Sequence, residues 1–95
     1  MRNQIESTAG AVVQVGAELG RFVIVGANAV VGHDARLGDF VNMGPGTVVA
    51  SGVKVEDNVS FFANSSTMPW ITIGAGSVVN CGAGVRESIP ANTEV

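Results

Sequence analysis

The sequence predicts an all-β chain folded as a left-handed parallel β-helix of hexapeptide repeats, with about five triangular coils. Two observations carry this prediction. Apolar and small residues recur along the chain with a period of six, which is the mark of a repeat architecture. The composition also favours strands and tight corners over helices, because 13 of the 95 residues are glycine and β-branched valine is frequent. We expect residues 1–95 to form a single domain.

The repeat is clearest when the chain is divided into hexads from Val13 onward. The first residue of each hexad is large and apolar except at Thr67; these positions are Val13, Leu19, Val25, Val31, Leu37, Met43, Val49, Val55, Phe61, Thr67, Ile73, Val79 and Val85. The fifth position is small or β-branched throughout, from Ala17 and Val23 to Ser77, Ala83 and Ile89. We expect both sets to point inward between short parallel strands, with no insertion breaking the frame.

Glycine is frequent at the second position of the hexads, at Gly20, Gly26, Gly32, Gly38, Gly44 and Gly74. We expect these glycines to supply corner dihedrals that a Cβ would oppose. Three hexads make a coil of eighteen residues, and successive coils stack about 4.8 Å apart. An ordinary parallel α/β domain would need crossover helices, and the chain shows no helical apolar period.

Composition and charge exclude several classes of function. A net charge of −3 with only five Lys and Arg argues against nucleic acid and against an anionic membrane surface. Cys81 is the single cysteine, so no intrachain disulfide forms and a reducing compartment is favoured. The N-terminus shows no apolar signal-peptide core, and no apolar run is long enough to span a bilayer. We therefore expect a cytoplasmic protein.

One segment carries a more specific pattern. Residues 30–41, VVGHDARLGDFV, contain a His-Asp pair followed by a Leu-Gly-Asp-Phe block, and residues 45–53 and 73–79 continue the type. Here the chain resembles the hexapeptide-repeat acyltransferases, in particular the branch of sialic-acid O-acetyltransferases and UDP-amino-sugar N-acetyltransferases. The resemblance implies acetyl-CoA as acyl donor, a sugar or nucleotide-sugar acceptor, no metal, and a homotrimer with sites between subunits.

The candidate catalytic residues are His33, Asp34 and Ser51. His33 is the only histidine and is third in its hexad, hence on an outer corner, where an imidazole suits a general base. The resemblance implies that Asp34 orients the ring. Eighteen-residue coils place residues 33, 51, 69 and 87 in one column, so Ser51 lies about 5 Å from His33. Its main-chain N–H would stabilise an oxyanion, although a merely polar corner is an equal reading.

The candidate cofactor-binding residues are Asn42, Ala63, Cys81 and Arg86. Ala63 and Cys81 share a column with Pro45, and the resemblance implies that the pantetheine arm of CoA bonds to main-chain groups there. Asn42 stands at the position where members of the family that the chain resembles usually have a histidine that contacts CoA. Arg86 would meet a CoA phosphate, with a solvated surface role as the alternative. Cys81 has no His or cationic neighbour in sequence, so we do not expect a nucleophile.

The aromatic residues divide between the core and the surface. Phe61 holds an inward position, whereas Phe40, Phe62 and Trp70 fall at outward positions. Because exposed aromatics are costly on a monomer, we expect these three to belong to a subunit interface.

Two other functions compete with the acetyltransferase. A γ-type carbonic anhydrase on this fold would need three histidine zinc ligands, which a chain with one histidine does not supply. The stronger rival is a non-catalytic structural or oligomerising β-solenoid, or an inactive remnant of a longer acetyltransferase. It is the stronger rival because we expect no N-terminal nucleotide-sugar-binding domain, which is usual in the branch that the chain resembles.

Overall fold

The computed structural model describes residues 5–7 and 9–95, and in that part the chain consists of short strands joined by corners, without a helix. The strands are β1 (Ile5–Ser7), β2 (Val12–Val13), β3 (Glu18–Leu19), β4 (Val23–Val25), β5 (Val30–Val31), β6 (Arg36–Leu37), β7 (Asn42–Met43), β8 (Val48–Val49), β9 (Lys54–Val55), β10 (Ser60–Phe61), β11 (Ser66–Thr67), β12 (Thr72–Ile73), β13 (Val78–Val79) and β14 (Gly84–Val85). The all-β prediction is confirmed.

Every third strand joins the same sheet, which gives a triangular prism with three faces. Face A contains β1, β4, β7, β10 and β13; face B contains β2, β5, β8, β11 and β14; face C contains β3, β6, β9 and β12. Pairing is parallel with a shift of eighteen residues, as in Val30↔Val48 and Arg36↔Lys54. The architecture agrees with the predicted left-handed β-helix. Fourteen described strands at three per coil make about four complete coils, so the predicted five is slightly too many.

The core follows the hexad pattern. The inward first positions Val25, Val31, Met43 and Val79 are fully buried, and the predicted core residue Phe61 is only 2% exposed. Small fifth positions complete the layers, with Ala29, Ala35, Thr47, Ser65 and Ser77 fully buried. Burying this apolar surface supplies most of the folding free energy, since each fully buried aliphatic side chain contributes about 1.5–3 kcal/mol.

The corners differ from the prediction in where their special dihedrals lie. In the hexads from Val13 to Gly84 the fourth residue, not the second, has a positive φ, and this set includes Phe22, Asn28, Asp34, Phe40, Gly52 and Trp70. The second-position glycines are needed instead because the backbone of the next coil packs directly against them. A Cβ on Gly26 would lie 2.7 Å from the carbonyl oxygen of Met43 in the next coil, and one on Gly32 would lie 2.6 Å from the nitrogen of Ser51.

The hexad frame also breaks near the end of the chain, which corrects a second expectation. Ile89 pairs with Ile73 and Glu94 with Val78, so the register there is sixteen residues instead of eighteen. The corner after Val85 is therefore two residues short, and Ile89 takes the place of a first position, not a fifth. The eighteen-residue register therefore holds as far as Val85 and is lost by Ile89.

The three faces present different outward residues to solvent. Face C carries Glu18, Arg36 and Lys54, all exposed, with Arg36 Nε 3.8 Å from Glu18 Oε1. Face B is apolar over β2, β5 and β8, with Val12 46% exposed and Val48 39% exposed, and continues with Ser66 and Gly84. The described part of the chain contains no helix with the length and apolar character needed to cross a membrane.

Candidate active site

His33 and Asp34 form the corner between β5 and β6, where face B turns into face C. The His33 side chain is 52% exposed, and its Nδ1 lies 3.3 Å from Asp34 Oδ2. Asp34 has a φ of 62°, a left-handed conformation that aspartate tolerates better than most residues. In the tautomer whose Nδ1 donates to this carboxylate, Nε2 is free to accept a proton. This pairing suits a general base.

Three hydrogen bonds hold that corner in place. The His33 N–H donates to Gln14 Oε1 at 3.0 Å, the Asp34 N–H donates to the Val15 carbonyl at 3.2 Å, and the His33 carbonyl accepts from Gly52 N–H at 3.0 Å. Gln14 was not singled out from the sequence. The signal that would reveal it is a polar side chain nineteen residues before a corner amide.

Ser51 lies on the next coil directly beside His33, as its column position predicted. Its carbonyl accepts from Trp70 N–H at 3.0 Å, but among the described residues its own N–H has no acceptor. Several other corner amides are capped by a side chain from one of two places. Asp39 Oδ1 in the following coil accepts from Arg21 N–H, and Glu56 Oε1 in the preceding coil accepts from Ala75 N–H.

The reason that the Ser51 amide stays open can be read from its neighbours. The two positions from which a side chain would reach it are occupied by Gly32 and Pro69, and neither carries an acceptor. The Ser51 N–H is therefore available to a ligand oxygen beside the His33 ring. That is the arrangement required of an oxyanion donor, and this role stays a prediction.

Ala63 and Cys81 lie at a different corner, where face A turns into face B. They are stacked on adjacent coils, since Gly82 N–H donates to the Ala63 carbonyl at 2.9 Å and Asn64 N–H donates to the Pro45 carbonyl at 2.9 Å. Within the described residues the Ala63 and Cys81 amides have no acceptor, and the Cys81 side chain is exposed. This column could hold an extended ligand through main-chain hydrogen bonds alone.

The remaining candidates lie apart from both corners. Asn42 is exposed on face A, in β7. Arg86 is exposed immediately after β14, where Gly84, Val85, Arg86 and Glu87 line part of a shallow open depression of about 390 Å³. No cluster of three or more His, Cys, Asp or Glu side chains with metal-binding geometry occurs among the described residues.

The candidate residues of one chain therefore do not converge on a single cleft. His33, Asp34 and Ser51 line one edge of face B, whereas Ala63 and Cys81 line its opposite edge. Face B itself is an apolar surface that separates them. Both groups would line one cleft only if the Ala63 edge of a second copy approached the His33 edge of the first.

The exposed aromatic residues lie at three different corners. Phe40, Phe62 and Trp70 are 52%, 48% and 70% exposed, so their outward orientation is confirmed. Phe62 and Trp70 flank face B, and the Trp70 ring covers the space above Gly52. Phe40 lies at the remaining corner, where it stacks on Phe22 with ring centroids 5.2 Å apart. A single interface over face B would contain Phe62 and Trp70 at its margins but not Phe40.

An ion pair between Arg21 and Asp39 lies at the corner between faces C and A. Asp39 accepts from the Arg21 main-chain N–H at 2.8 Å and lies 3.1 Å from the Arg21 guanidinium. The main-chain hydrogen bond, followed by the guanidinium, lowers the pKa of Asp39 below its ordinary value. Carboxylates accept from three third-position amides at this corner, those of Arg21, Asp39 and Ala75, and among the described residues here only the Asp57 N–H has no acceptor.

Comparison with known proteins supports the resemblance. The pattern described as bacterial transferase hexapeptide (six repeats) matches residues 16–51, which include His33, Asp34 and Ser51. No curated protein matches the chain in sequence.

Solved structures provide further matches. The acetyltransferase domain of PglB from Neisseria gonorrhoeae FA1090 shares 30% identity with a TM-score of 0.94, covering 96% of this chain and 44% of its own. A variant of perosamine N-acetyltransferase from Caulobacter crescentus, in complex with CoA and GDP-perosamine, shares 27% identity with a TM-score of 0.79, covering 95% of this chain and 52% of its own.

A third solved structure, WeeI from Acinetobacter baumannii AYE, is 21% identical with a TM-score of 0.79 over 94% of this chain and 53% of its own, and it supports the fold alone. The chain spans about half the length of each of these structures. In its matching repeat and its coil architecture, this chain is therefore similar to the bacterial hexapeptide-repeat transferases.

Proposed function

We propose that this chain transfers an acetyl group from acetyl-CoA to an amino or hydroxyl group of a sugar or nucleotide sugar. The observation that carries the proposal is the His33–Asp34 pair beside the open amide of Ser51. A proton acceptor and an unpaired N–H donor on adjacent coils are the two groups that acyl transfer requires.

In the proposed reaction the acceptor amine or hydroxyl attacks the thioester carbonyl of acetyl-CoA. A bond forms between the acceptor and the carbonyl carbon, and His33 Nε2 takes the proton that the acceptor loses. The Ser51 N–H donates to the oxyanion of the tetrahedral intermediate. When the C–S bond breaks, the His33 imidazolium returns the proton to the leaving CoA thiolate. Asp34 stabilises the imidazolium in the meantime through Nδ1.

The donor would bind along the corner of Ala63 and Cys81. Their amides have no acceptor in the described part of the chain, and main-chain donors spaced one coil apart suit the amide groups of a pantetheine arm. Because this corner and the His33 corner lie on opposite edges of face B, we propose that the protein is a homotrimer whose clefts combine both edges. Asn42 and Arg86 are proposed as outer contacts of the cofactor.

The acceptor class is supported by the solved structures. The perosamine N-acetyltransferase that resembles this chain is described in complex with CoA and GDP-perosamine, which is a nucleotide-linked amino sugar. We propose the same chemical class of acceptor here.

The rival function is an oligomerising solenoid without catalysis. Face B favours it independently, since Val12 and Val48 are exposed there and Phe62 and Trp70 lie at its edges. Assembly through face B is common to both functions, so oligomerisation alone does not separate them.

Acetyl-CoA binding and turnover do separate them. The purified protein is titrated with acetyl-CoA in a calorimeter, and CoA release is then followed with a nucleotide-linked amino sugar as acceptor. We expect one acetyl-CoA per chain in both the wild type and His33→Ala, because His33 acts on the acceptor. We expect kcat for His33→Ala to fall by about 100-fold or more.

Lys54→Gln provides the control, since Lys54 is exposed on face C and is none of the candidate site residues. Its turnover should equal that of the wild type. Absence of binding at millimolar acetyl-CoA would contradict the proposal and favour the structural solenoid.

A further inference from the structure

We propose that Thr67 is a positioning residue that orients the Ala50–Ser51 peptide and thereby aims the Ser51 N–H into the site. This inference rests on the proposed function, because it assigns a task to a residue that stabilises the same oxyanion donor. Thr67 lies in β11, one coil beyond Ser51, and its side chain belongs to the core.

Thr67 stands out in the core column that it shares with Val13, Val31, Val49 and Val85. It is only 8% exposed, and the other members of the column are all valine. A buried hydroxyl costs stability unless it is hydrogen-bonded, whereas valine has nearly the same shape without that cost. A hydroxyl at this position therefore calls for a specific partner.

The partner is the amide of Ala50, whose N–H donates to Thr67 Oγ1 at 3.1 Å. On the neighbouring coils of the same face the matching amides donate to main-chain carbonyls. Gly32 N–H bonds the Val49 carbonyl at 2.7 Å, and Met68 N–H bonds the Val85 carbonyl at 2.9 Å. In the part of the chain that is described, the other second-position amides with a following coil do the same. Among these amides, only that of Ala50 donates to a side chain in place of a main-chain carbonyl of the next coil.

The strand pairing shows the same interruption. β5 pairs with β8 at both residues, Val30↔Val48 and Val31↔Val49, but β8 pairs with β11 only at Val48↔Ser66. The ladder therefore departs from regular geometry directly next to the corner that carries Ser51. This is also the corner that stacks on His33, because Gly52 N–H donates to the His33 carbonyl.

The effect reaches Ser51 through two planar peptides that meet at the Ala50 Cα. The Ser51 N–H and the Ala50 carbonyl belong to one planar peptide, so they turn together. The carbonyl accepts from Val53 N–H at 3.4 Å, which is beyond the usual range for such bonds. The bond from Ala50 N–H to Thr67 is shorter and fixes the neighbouring Val49–Ala50 peptide, so it limits how far the Ala50–Ser51 peptide can turn about the Ala50 Cα that the two share.

Two substitutions separate positioning from packing. Thr67→Val keeps the shape and restores the valine of the column, so it should fold with a Tm equal to or above that of the wild type. Thr67→Ser keeps the hydroxyl and loses a methyl group. We expect kcat of Thr67→Val to fall by about 10- to 100-fold with KM for acetyl-CoA within about twofold, since a misplacement of about 1 Å costs rates of this size. Thr67→Ser should retain kcat within about threefold of the wild type.

Amide chemical shifts report on the geometry without depending on turnover. In ¹⁵N-labelled protein, the Ala50 and Ser51 amide resonances should move in Thr67→Val and remain near their wild-type positions in Thr67→Ser. An active wild type together with unchanged kcat in Thr67→Val would overturn the positioning role alone, as would unmoved Ala50 and Ser51 resonances. An inactive wild type that also fails to bind acetyl-CoA would overturn the proposed function, and with it the catalytic use of Ser51.

Discussion

Ser65 and Ser77 form a matched pair that shows what a buried hydroxyl contributes to stability with and without hydrogen bonds. Both occupy fifth positions and are fully buried. The Ser77 hydroxyl donates to the Pro90 carbonyl at 3.1 Å and accepts from Thr93 N–H at 3.1 Å, whereas Ser65 Oγ has no hydrogen-bond partner in the described structure. An unsatisfied buried hydroxyl is a cost, because it has lost its water without a replacement.

We predict that Ser65→Ala raises the free energy of unfolding by about 1 kcal/mol, while Ser77→Ala lowers it by about 1–3 kcal/mol. Urea denaturation of the two variants beside the wild type measures both changes. Equal destabilisation by the two substitutions would mean that Ser65 has a partner after all, such as an internal water.

Asp39 gives stability a defined dependence on pH. Its folded pKa lies below the ordinary 3.8 because of the Arg21 main-chain N–H and guanidinium. A lowered folded pKa means that the carboxylate stabilises the fold above the unfolded pKa and loses this effect as pH falls through the folded value. We predict that Asp39→Asn is less stable than the wild type at pH 7 and that the difference shrinks as the pH falls below 3.8 and through the lowered folded pKa.

Urea denaturation of both proteins at pH 7 and at pH 3 tests this prediction. Asn retains an oxygen acceptor for the Arg21 N–H, so the comparison isolates the charge. A difference that persisted unchanged at pH 3 would contradict it.

At the scale of the strand and its corner, glycine at the second position allows the next coil to approach closely. A Cβ on Gly26 would lie 2.7 Å from the Met43 carbonyl oxygen, and that oxygen belongs to the backbone of the next coil. At Gly84 a Cβ would meet nothing closer than Ser66 Oγ at 3.7 Å. We predict that Gly26→Ala destabilises the protein by about 1–3 kcal/mol and that Gly84→Ala is neutral or slightly stabilising. Thermal unfolding of the two variants measures the contrast, and similar losses at both positions would contradict the stacking argument.

The elements show which parts of the fold can be read from sequence. The inward first and fifth positions were predictable because burial follows side-chain type directly. The corner dihedrals were not, since Phe22, Phe40 and Trp70 adopt a positive φ that bulky residues normally avoid. The short corner after Val85 was hidden because Ile89 is apolar and fits an inward place in either frame.

The candidate site likewise has some features that the sequence predicts and others that it does not. The stacking of Ser51 beside His33, and of Cys81 beside Ala63, followed from arithmetic on an eighteen-residue coil. The open amides did not, because they depend on whether Gly32 and Pro69, or their equivalents, can supply an acceptor. The bond between Thr67 and Ala50 also lay beyond the hexad pattern, which marks Thr67 as an exception but does not name its partner.

The whole molecule is a prism with one apolar and one charged side. Val48 and Lys54 are both outward strand residues, but Val48 lies on face B and Lys54 on face C. If face B joins the subunits, Val48→Glu should convert the proposed trimer to monomers, because the charge would be buried without a partner. Lys54→Glu should leave the assembly unchanged. Sedimentation of the two variants decides the matter, and a trimer that survived Val48→Glu would place the interface elsewhere.

The most direct test of the central claim is the turnover of Ser51→Pro beside that of Ser51→Ala. Proline removes the Ser51 N–H, and the same corner position is already proline at residue 69, so the fold should be retained. We predict that Ser51→Pro binds acetyl-CoA but loses about 100-fold or more in kcat, while Ser51→Ala keeps both, since the donor is main chain. Equal turnover in the two variants would contradict acyl transfer at the His33–Ser51 corner.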